Sequence, residues 1–369
     1  MEVLVMDITV AMARKSGEPL TIEEAQLAEL KSDEVLVKMV ASGVCHTDAV
    51  GRDAGMAGYP VVLGHEGSGI VQEVGSSVST VEPGDHVVLS FNSCGVCDSC
   101  LSGHPAECDM LNQINFGGRR KDGSAAITQN GEAVSNFFGQ SSFSTYSVVS
   151  ERGVVKVDKD ADLKLLGPLG CGIQTGAGTV LQYFKPKFGD SIVIFGAGAV
   201  GLSGVMAAKL LNMAHIIVVN RPNPYRLNMA RELGATDVIE SKPGTDVVAE
   251  IKRITGNGTD FALETTGAAQ CIKDSVNAIK PRGIDAVVGI AGDVTFNVNE
   301  DIMSESKTIA GVIEGDAIPQ IFIPKIVKYY QKGLFPFDKL TKFYRFADIN
   351  DAFSDSASGK VIKPIVVFD

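Results

Sequence analysis

Residues 191–201 read SIVIFGAGAVG, an apolar segment that runs directly into the pattern G-x-G-x-x-G at Gly196, Gly198 and Gly201. In a strand–turn–helix of this kind the first glycine permits the turn. The second lets the backbone approach a pyrophosphate, and the third lets helix and strand pack closely. A tight turn without any ligand fits the same glycines, so the surrounding sequence has to decide between the two interpretations.

The segments after the glycine loop alternate between strand and helix patterns. Strands are predicted near His215–Asn220, Phe261–Glu264 and Asp285–Ile290, with helices between them. This alternation is typical of a doubly wound parallel sheet with helices on both faces. The sequence therefore predicts an α/β dinucleotide-binding domain over residues 173–314.

Short strands and turns dominate residues 1–172 and return from about residue 315. Glu34–Val40 alternates as a strand does, and Glu82–Asp85 (EPGD) is a turn signal. We infer that residues 315–369 rejoin residues 1–172 in one mostly β domain.

Composition excludes several classes of protein. The 369 residues include 33 basic and 44 acidic side chains, a net charge of −11, so the basic surface of a nucleic-acid binder is absent. Residues 165–184 and 191–208 are uncharged and long enough to span a bilayer, but glycines interrupt both runs. No membrane partner is expected. The first residues lack the basic start of a secretory signal, so a cytoplasmic protein is expected.

Four of the seven cysteines fall in one short stretch, at Cys94, Cys97, Cys100 and Cys108. Four thiolates complete the tetrahedral shell of Zn²⁺ and leave no position for chemistry, so the quartet predicts a structural zinc site. An iron–sulfur cluster and four unpaired core thiols are the alternative interpretations.

A second set of potential ligands is dispersed along the chain, at Cys45, His65 and Cys171. Three protein ligands would leave the fourth position of a zinc ion open, as a catalytic site requires. Two thiolates and a neutral imidazole would also balance the charge of the ion. Spacing alone does not connect these residues, since a single buried cysteine or histidine more often serves packing.

The second predicted strand of the α/β domain ends without the usual acid. An acidic residue about 20 positions after the glycine loop would select NAD through the ribose 2′-hydroxyl, but this strand ends Asn220-Arg221. Asn220 can still bond a hydroxyl, and Arg221 can pair with the 2′-phosphate of NADP. A solvated surface charge explains Arg221 equally well. The sequence is compatible with NAD and with NADP.

Taken together, the motifs resemble those of the zinc-dependent alcohol dehydrogenases of the medium-chain dehydrogenase/reductase superfamily, over essentially the whole chain. The resemblance rests on GHEGSG at 64–69, the cysteine quartet, GCGIQTGAG at 170–178 and GAGAVG at 196–201. Within the family, the stretches FFGQSSFSTYSVV and GLFPFDKLTKFYRF are most similar to aryl- (benzyl-) alcohol dehydrogenases. The resemblance implies a GroES-like catalytic domain built from both chain ends, a Rossmann domain, and a homodimer or homotetramer.

The resemblance also implies roles for single residues. Cys45, His65 and Cys171 would bind the catalytic zinc. Asp48 would orient His65, Glu66 would lie behind the metal, and Thr47 would take the substrate proton. The cofactor would be contacted by His46, Thr175, Gly196, Gly198, Gly201, Asn220 and Arg221. Many members have a histidine three residues after the threonine, where this chain has Val50.

The expected protein is an oxidoreductase with two Zn²⁺ ions per chain and NAD or NADP as cofactor. It would interconvert a primary alcohol, aryl or allylic, and its aldehyde by hydride transfer. Alternatives within the enzymes are dehydrogenases for other alcohols and reductases for secondary-metabolite intermediates. The alternative outside catalysis is a zinc-stabilised binding protein that senses dinucleotides. An aromatic pocket and a plain hydrophobic core both explain Phe91, Phe137, Phe138 and Phe143.

Overall fold

The computed structural model describes residues 6–368, which divide into two units. The first unit includes the chain up to Cys171, Ile318–Tyr329 and the chain from Asp338 onward. The second unit consists of Gly172–Ala317 and Tyr330–Phe337. Each unit is described separately below.

Strands are the main regular structure of the first unit and form the centre of the second. In chain order they are β1 (Met6–Ala13), β2 (Thr21–Leu27), β3 (Glu34–Gly43), β4 (Val61–Val62), β5 (Gly67–Val74), β6 (His86–Leu89), β7 (Ile127–Gln129), β8 (Glu132–Val134), β9 (Tyr146–Ser150), β10 (Val154–Val157), β11 (Ser191–Phe195), β12 (His215–Asn220), β13 (Asp237–Glu240), β14 (Thr259–Glu264), β15 (Ile279–Val287), β16 (Thr308–Gly311), β17 (Thr341–Arg345) and β18 (Lys363–Val367).

The α-helices range from 4 to 13 residues in length. They are α1 (His46–Ala54), α2 (Asp98–Leu101), α3 (Leu111–Phe116), α4 (Leu163–Leu166), α5 (Gly172–Gly178), α6 (Ala199–Leu210), α7 (Pro224–Leu233), α8 (Val247–Thr255), α9 (Ala269–Ala278), α10 (Pro319–Gln331) and α11 (Ile349–Ala357). Within residues 6–368, none of the helices combines the length and the apolarity that crossing a membrane requires.

Two sheets form the first unit, of which the first is antiparallel throughout and the second is mixed, because β17 pairs parallel with β18. One has the strand order β4-β1-β2-β7-β8, and the other runs β10-β6-β5-β3-β18-β17 with β9 also paired to β3. β18 pairs antiparallel with β3, joining Ile365 to Gly43 and Val367 to Ala41. The late strand β18 is therefore built into the same sheet as β3, and Phe353 of the preceding α11 packs in one apolar cluster with Phe143.

The second unit contains a six-stranded sheet in which every paired strand is parallel. Its strand order is β13-β12-β11-β14-β15-β16. The chain adds β12 and β13 on one side of β11 and then β14, β15 and β16 on the other side, as in a Rossmann fold. The predicted strand His215–Asn220 is confirmed without change. β15 begins earlier than the predicted Asp285, because α9 ends at Ala278 and the chain enters the strand at once.

The glycine loop between β11 and α6 has the geometry that its sequence predicts. Gly196 has a φ of 101°, a conformation that side chains other than glycine rarely adopt. A Cβ atom on Gly201 would lie 1.9 Å from the carbonyl oxygen of Gly196, so only glycine allows α6 to approach the turn this closely. Gly198 precedes the first residue of α6, which leaves the first amides of the helix directed toward the loop.

One carboxyl group in the second unit is buried with few partners. Asp285 of β15 is fully buried, and Ser275 of α9 donates a hydrogen bond of 2.8 Å to its Oδ2 atom. Its Oδ1 atom has no hydrogen-bond partner among residues 6–368. Burial raises the pKa of Asp285 to about 7, and the charge of Glu264 adds to the increase. The folded protein therefore holds a proton that the unfolded chain releases near pH 4.

We predict that Asp285→Asn stabilises the protein above pH 7 and has much less effect at low pH. Because the pKa is raised on folding, the free energy of unfolding of the wild type falls as pH rises from about 4 to about 7. The amide cannot ionise, so between pH 5.5 and 8 the variant should gain about 2 kcal/mol over the wild type. Denaturant unfolding at a series of pH values measures this gain.

The control for this experiment is Asp293→Asn, which changes an exposed aspartate of the same unit. Its unfolding curve should follow that of the wild type at every pH. Parallel profiles for Asp285→Asn and the wild type would contradict a raised pKa at Asp285.

Candidate active site

Four potential metal-binding side chains converge in the first unit. One ligand atom from each of Cys45, His65, Glu66 and Cys171 lies within 4.8 Å of the others. His65 and Glu66 are fully buried, Cys171 is 8 % exposed and Cys45 is half-buried. The structure thus brings together the three residues that sequence spacing could not connect.

Cys45 is placed by the start of α1. It has extended backbone angles before the first residue of the helix, and its N–H donates a hydrogen bond of 3.0 Å to Asp48 Oδ2. In return, the N–H of Asp48 contacts the side chain of Cys45. The two contacts form a capping box, which satisfies amides that the helix itself leaves unpaired. The sequence from Cys45 to Asp48 therefore holds the thiol in a defined position.

Cys171 is placed by a 3₁₀ turn at Gly167–Gly170. A Cβ atom on Gly167 would lie 2.2 Å from the carbonyl oxygen of Glu66, and one on Gly170 would lie 2.0 Å from that of Leu89. Any larger residue at these two positions would push the turn away from the backbone beneath it. The motif GPLGC thus allows Cys171 to reach Cys45 and His65.

Asp48 fixes the orientation of His65. Its Oδ1 atom lies 2.8 Å from His65 Nδ1 and accepts a second hydrogen bond of 3.0 Å from the N–H of Gly64. Asp48 is fully buried. Because Nδ1 contacts Asp48, the ring nitrogen that is left to bind another group is Nε2. It has no hydrogen-bond partner in the described part of the chain. A buried, unpartnered imidazole nitrogen beside two thiols fits a metal ligand.

Charge interactions favour the metal-binding thiolate form of Cys45, whereas they hold a proton on His65 that metal binding must displace. The hydrogen bond with Cys171 lowers the pKa of the Cys45 thiol well below its usual value, although burial opposes this, and the Lys363 charge lowers it further. Burial alone would lower the pKa of His65, but the carboxylate of Asp48 raises it above its usual value. A thiolate is the form of cysteine that binds metals.

The structure adds one charged residue that the sequence analysis missed. Lys363, at the start of β18, places its Nζ atom 2.8 Å and 2.9 Å from the two carboxylate oxygens of Glu66. Both side chains are almost completely buried. Burial raises the pKa of Glu66 to about 7 despite the opposing charge of Lys363. A lysine that opens an otherwise apolar strand, KPIVV, was the available signal.

The other residues of α1 that were expected near the metal or its proton route differ in how far they are buried. The hydroxyl of Thr47 lies 3.9 Å from the sulfur of Cys45, and its side chain is half-buried. His46, the first residue of α1, is exposed. Val50 lies one turn further along α1 and is half-buried. Thr47 is therefore the hydroxyl group nearest the ligand cluster in this segment.

Aromatic rings form a wall beside the ligand cluster. The ring of His65 lies 4.8 Å from that of Phe138 and 5.7 Å from that of Phe137, measured between centroids. Phe116, which the sequence analysis did not single out, contacts both phenylalanines. Phe138 has a φ of 57°, and such backbone strain costs about 1–3 kcal/mol and is common at functional sites. Phe91 and Phe143 are buried in the same apolar cluster.

The cysteine quartet forms a second cluster, separate from the first. The sulfur atoms of Cys94, Cys97, Cys100 and Cys108 lie within 4.8 Å of one another. The N–H groups of Val96 and Cys97 donate to the Cys94 sulfur, which lowers the pKa of Cys94 to about 6. All seven cysteines are free thiols. Backbone donors around a set of converging thiols are what a tetrathiolate metal site requires.

The predicted cofactor residues of the second unit lie around the glycine loop and α5. Asn220 accepts a hydrogen bond of 3.0 Å from the N–H of Ala197, so its side chain braces the loop. Arg221 is exposed. Thr175 lies in α5, where a Cβ atom on the neighbouring Gly176 would be 1.8 Å from the carbonyl oxygen of Val200 in α6. The close packing of these two helices fixes Thr175 within the unit.

Comparison with known families matches both halves of the chain. The model of the alcohol dehydrogenase GroES-like domain matches residues 31–159. The model of the zinc-binding dehydrogenases matches residues 199–328. The fold therefore combines a GroES-like domain with a Rossmann domain, as the sequence predicts.

Individual proteins are similar over nearly the whole length. Geraniol dehydrogenase of Castellaniella defragrans is 44% identical over 362 residues, which cover 97% of each chain. The crystal structure of benzyl alcohol dehydrogenase from Acinetobacter calcoaceticus is 45% identical, with a TM-score of 0.94 over 99% of this chain and 100% of that one. The crystal structure of an alcohol dehydrogenase zinc-binding domain protein from Burkholderia ambifaria is 46% identical, with a TM-score of 0.95 over 99% of this chain and 100% of that one. On this evidence the chain belongs to the zinc-dependent alcohol dehydrogenases of the medium-chain dehydrogenase/reductase superfamily.

Proposed function

We propose that this protein interconverts a primary alcohol, aryl or allylic, and its aldehyde with a nicotinamide dinucleotide. The observation that carries the proposal is the convergence of Cys45, His65 and Cys171 around the unpartnered Nε2 atom of His65. In the oxidative direction the carbinol carbon gives its hydride to the oxidised nicotinamide ring. The hydroxyl proton leaves through the protein, and in the other direction both transfers reverse.

The ligands of a catalytic zinc ion are assigned to Cys45 Sγ, His65 Nε2 and Cys171 Sγ. Glu66 also reaches the cluster, but Lys363 holds both of its carboxylate oxygens, which favours the set of three. A zinc ion bound with one open position supplies Lewis acidity, which lowers the pKa of a hydroxyl group that reaches it by several units. Two thiolates and one neutral imidazole carry a total charge of −2, which balances but does not exceed the charge of Zn²⁺. The ion therefore keeps its Lewis acidity.

The protein groups around the ligands have distinct tasks in this proposal. Asp48 holds the His65 ring and its tautomer through the hydrogen bond to Nδ1. Thr47 accepts the proton of the substrate hydroxyl and passes its own proton onward. Val50 cannot carry a proton, so the route continues from Thr47 through other groups. The buried pair of Glu66 and Lys363 adds little net charge behind the ligands.

The cofactor is assigned to the second unit, which we propose as the dinucleotide-binding domain. The amides around Gly196, Gly198 and Gly201 would bind the pyrophosphate, with Asn220 and Arg221 at the adenosine ribose. His46 is proposed to contact the pyrophosphate as well, and Thr175 the nicotinamide. NAD and NADP are both accommodated by a strand end that lacks an acid.

The cysteine quartet is proposed to hold a second, structural zinc ion, which gives two ions per chain. Its four converging thiols fit this role, and an iron–sulfur cluster is the alternative. We also propose a homodimer or homotetramer. Metal thiolates of this kind persist in a reducing compartment, which favours the cytoplasm.

Two ligand substitutions should separate the two metal sites. Cys45→Ser should reduce the zinc content from two ions to one per chain and abolish turnover, with the fold retained. Cys97→Ser should also remove one ion but mainly lower the thermal unfolding temperature. Elemental analysis, activity and circular dichroism measure these outcomes.

The matched control is Cys271→Ser, since Cys271 is a free thiol of the second unit that belongs to neither cluster. It should keep both ions and full activity. Retention of two zinc ions and turnover by Cys45→Ser would contradict the catalytic assignment. A wild type that binds a single ion would favour the dinucleotide-sensing alternative.

A panel of alcohols tests the substrate class. The relatives named for geraniol and benzyl alcohol, together with Phe137 and Phe138 beside His65, lead us to expect preference for unsaturated alcohols. We predict kcat/KM for benzyl alcohol, cinnamyl alcohol and geraniol at least about 10-fold above that for ethanol and 1-butanol. Steady-state kinetics with both cofactors measures this, and equal or reversed values would contradict the assignment.

A double-mutant comparison tests the buried ion pair. Lys363→Met leaves the carboxylate of Glu66 buried without its cation and should reduce the free energy of unfolding by about 3–5 kcal/mol. Adding Glu66→Gln removes the unpaired charge, so the double variant should recover most of that loss. Denaturant unfolding of the three proteins decides the question. A double variant no more stable than Lys363→Met would contradict the pairing.

A further inference from the structure

The first unit contains a large cavity that is distinct from the candidate active site. Its volume is about 680 Å³, which is in the range of sites for small molecules. All of its lining residues belong to the first unit, and Cys45, His65 and Cys171 are not among them. The proposed dehydrogenase chemistry takes place elsewhere, so the side chains of the cavity itself have to indicate what it binds.

Two buried asparagine side chains line the cavity without a full set of hydrogen bonds. Asn136 is 7 % exposed, and its side chain forms no hydrogen bond within residues 6–368. Asn92 is 2 % exposed, and its Oδ1 atom has no partner in the same range. Buried amides are normally hydrogen-bonded, because their transfer out of water without a partner is costly. An amide such as that of Asn136, in the wall of a cavity, is suited to bind a ligand.

Arg119 is held beside this amide. The carbonyl oxygen of Gly118 accepts a hydrogen bond of 3.2 Å from the N–H of Asn136 and one of 2.7 Å from Arg119 Nη1. Arg119 Nη1 also lies 3.2 Å from Ser135 Oγ. Both acceptors are neutral, and in the described part of the chain Arg119 forms no ion pair. One backbone oxygen thus anchors an amide and a guanidinium in the same wall of the cavity.

A second guanidinium, that of Arg152, lines the cavity from the turn that follows β9. Its Nε atom donates 3.2 Å to Ser93 Oγ. A Cβ atom on Gly95 would lie 2.7 Å from the central carbon of this guanidinium, so the group packs closely on the loop of the cysteine quartet. Arg152 likewise has no ion pair with any residue of the range 6–368.

The carboxylates that line the cavity leave the charge of these two arginines uncompensated. Three of the four carboxylates are held by other groups of the protein. They are Glu34, bound by Arg120, Asp122, bound by Lys31, and Glu151, which accepts from the N–H groups of Ser79 and Thr80. The fourth, Asp33, is exposed. Five basic and four acidic side chains line the cavity, so its net charge is +1, whereas the whole chain carries −11. This difference favours an anionic ligand.

The cavity also has an apolar side. Ile114, Ala126 and Val148 line it, and the last two are buried in the apolar cluster of β1 and β2. An inorganic ion would leave these side chains without a contact. A ligand that combines an anionic group with an apolar body would use both sides of the cavity.

We propose that this cavity binds a small organic anion, a carboxylate or phosphate group carried on an apolar body. The guanidinium groups of Arg119 and Arg152 bind the anionic oxygens, since their planar donors match such groups. The amide of Asn136 donates to the same group, and Ile114 and Val148 contact the apolar body. The proposal goes beyond the proposed function and does not depend on it, because it involves none of the assigned catalytic ligands.

The test is calorimetric titration of the full-length, zinc-loaded protein in a low-salt buffer free of phosphate, with four probes. Benzoate and phenyl phosphate combine a ring with an anion, benzamide is the neutral counterpart of benzoate, and inorganic phosphate lacks the ring. A carboxylate site should bind benzoate at least about 10-fold more tightly than benzamide. A phosphate site should bind phenyl phosphate at least about 10-fold more tightly than both inorganic phosphate and benzamide.

Two variants of the cavity test the assigned donors. Arg119→Met should weaken binding of the preferred anion by about 10-fold or more, because it removes a charged donor. Asn136→Leu should weaken it by about 3- to 10-fold without lowering the free energy of unfolding, since it replaces a buried amide that lacks a partner. An amide with a merely structural role would instead lose stability on this change. Circular dichroism and zinc content should match those of the wild type in both variants.

Two control variants locate the binding site. Arg14→Met removes an arginine of the first unit that is paired with Glu23 outside the cavity, and it should leave the affinity for the anion unchanged. Cys45→Ser should leave it unchanged as well, which separates the cavity from the candidate active site.

Three results would overturn the proposal. They are no binding of either aromatic anion by the wild type, equal affinity for benzoate, phenyl phosphate and benzamide, and undiminished binding by Arg119→Met. Loss of binding in Cys45→Ser would place the anion at the active site and refute the separate cavity. Turnover of alcohols by the wild type is measured independently, so each of these results leaves the dehydrogenase proposal standing.

Discussion

The candidate active site depends on the hydrogen bonds of one buried carboxylate, that of Asp48. It accepts from the N–H groups of Cys45 and Gly64 and lies 2.8 Å from His65 Nδ1. A buried carboxylate without partners would cost several kcal/mol, so these three donors are a condition for its presence. Because they come from two separate segments, Asp48 holds Cys45 and His65 in a common frame. The position of each potential ligand then depends on the other.

The second constraint comes from the far end of the chain. β18 pairs with β3, and this pairing carries Lys363 to Glu66, 297 positions away in the sequence. The cation lies close enough to act on the charge of the thiol groups as well as on Glu66. The discontinuous first unit therefore has an electrostatic consequence, since its last strand supplies the buried lysine of the cluster. The pairing of β18 with β3 thus both extends the sheet and brings a positive charge to the ligand cluster.

Sequence reasoning predicted the local features well and the distant ones only through the family resemblance. The glycine loop, β12 and the cysteine quartet depend on short-range geometry, which their spacing encodes. The convergence of Cys45, His65 and Cys171 depends on sheet topology, which spacing does not encode. Lys363 was missed for the same reason. The early start of β15 was missed because its first residues, IKPRG, look polar, although they enter the strand beside β14.

The Asn220–Arg221 end of β12 shows a further limit of reading residues singly. The sequence assigns Asn220 to a ribose hydroxyl, whereas in the structure its amide is engaged by the backbone at Ala197 and Arg221. Arg226 was not singled out, because its approach to Gly198 results from the way in which α7 follows β12. In each case the type of the residue was informative, and its partner could be identified only from the fold.

Anomalous diffraction from crystals of the zinc-loaded protein, recorded at the zinc edge, tests the central assignment most directly. A peak should lie about 2.3 Å from the sulfur atoms of Cys45 and Cys171 and about 2.0–2.1 Å from His65 Nε2. Glu66 should stay with Lys363. Absence of a peak at this cluster, while the cysteine quartet shows one, would contradict the assignment of a catalytic zinc ion to these three residues.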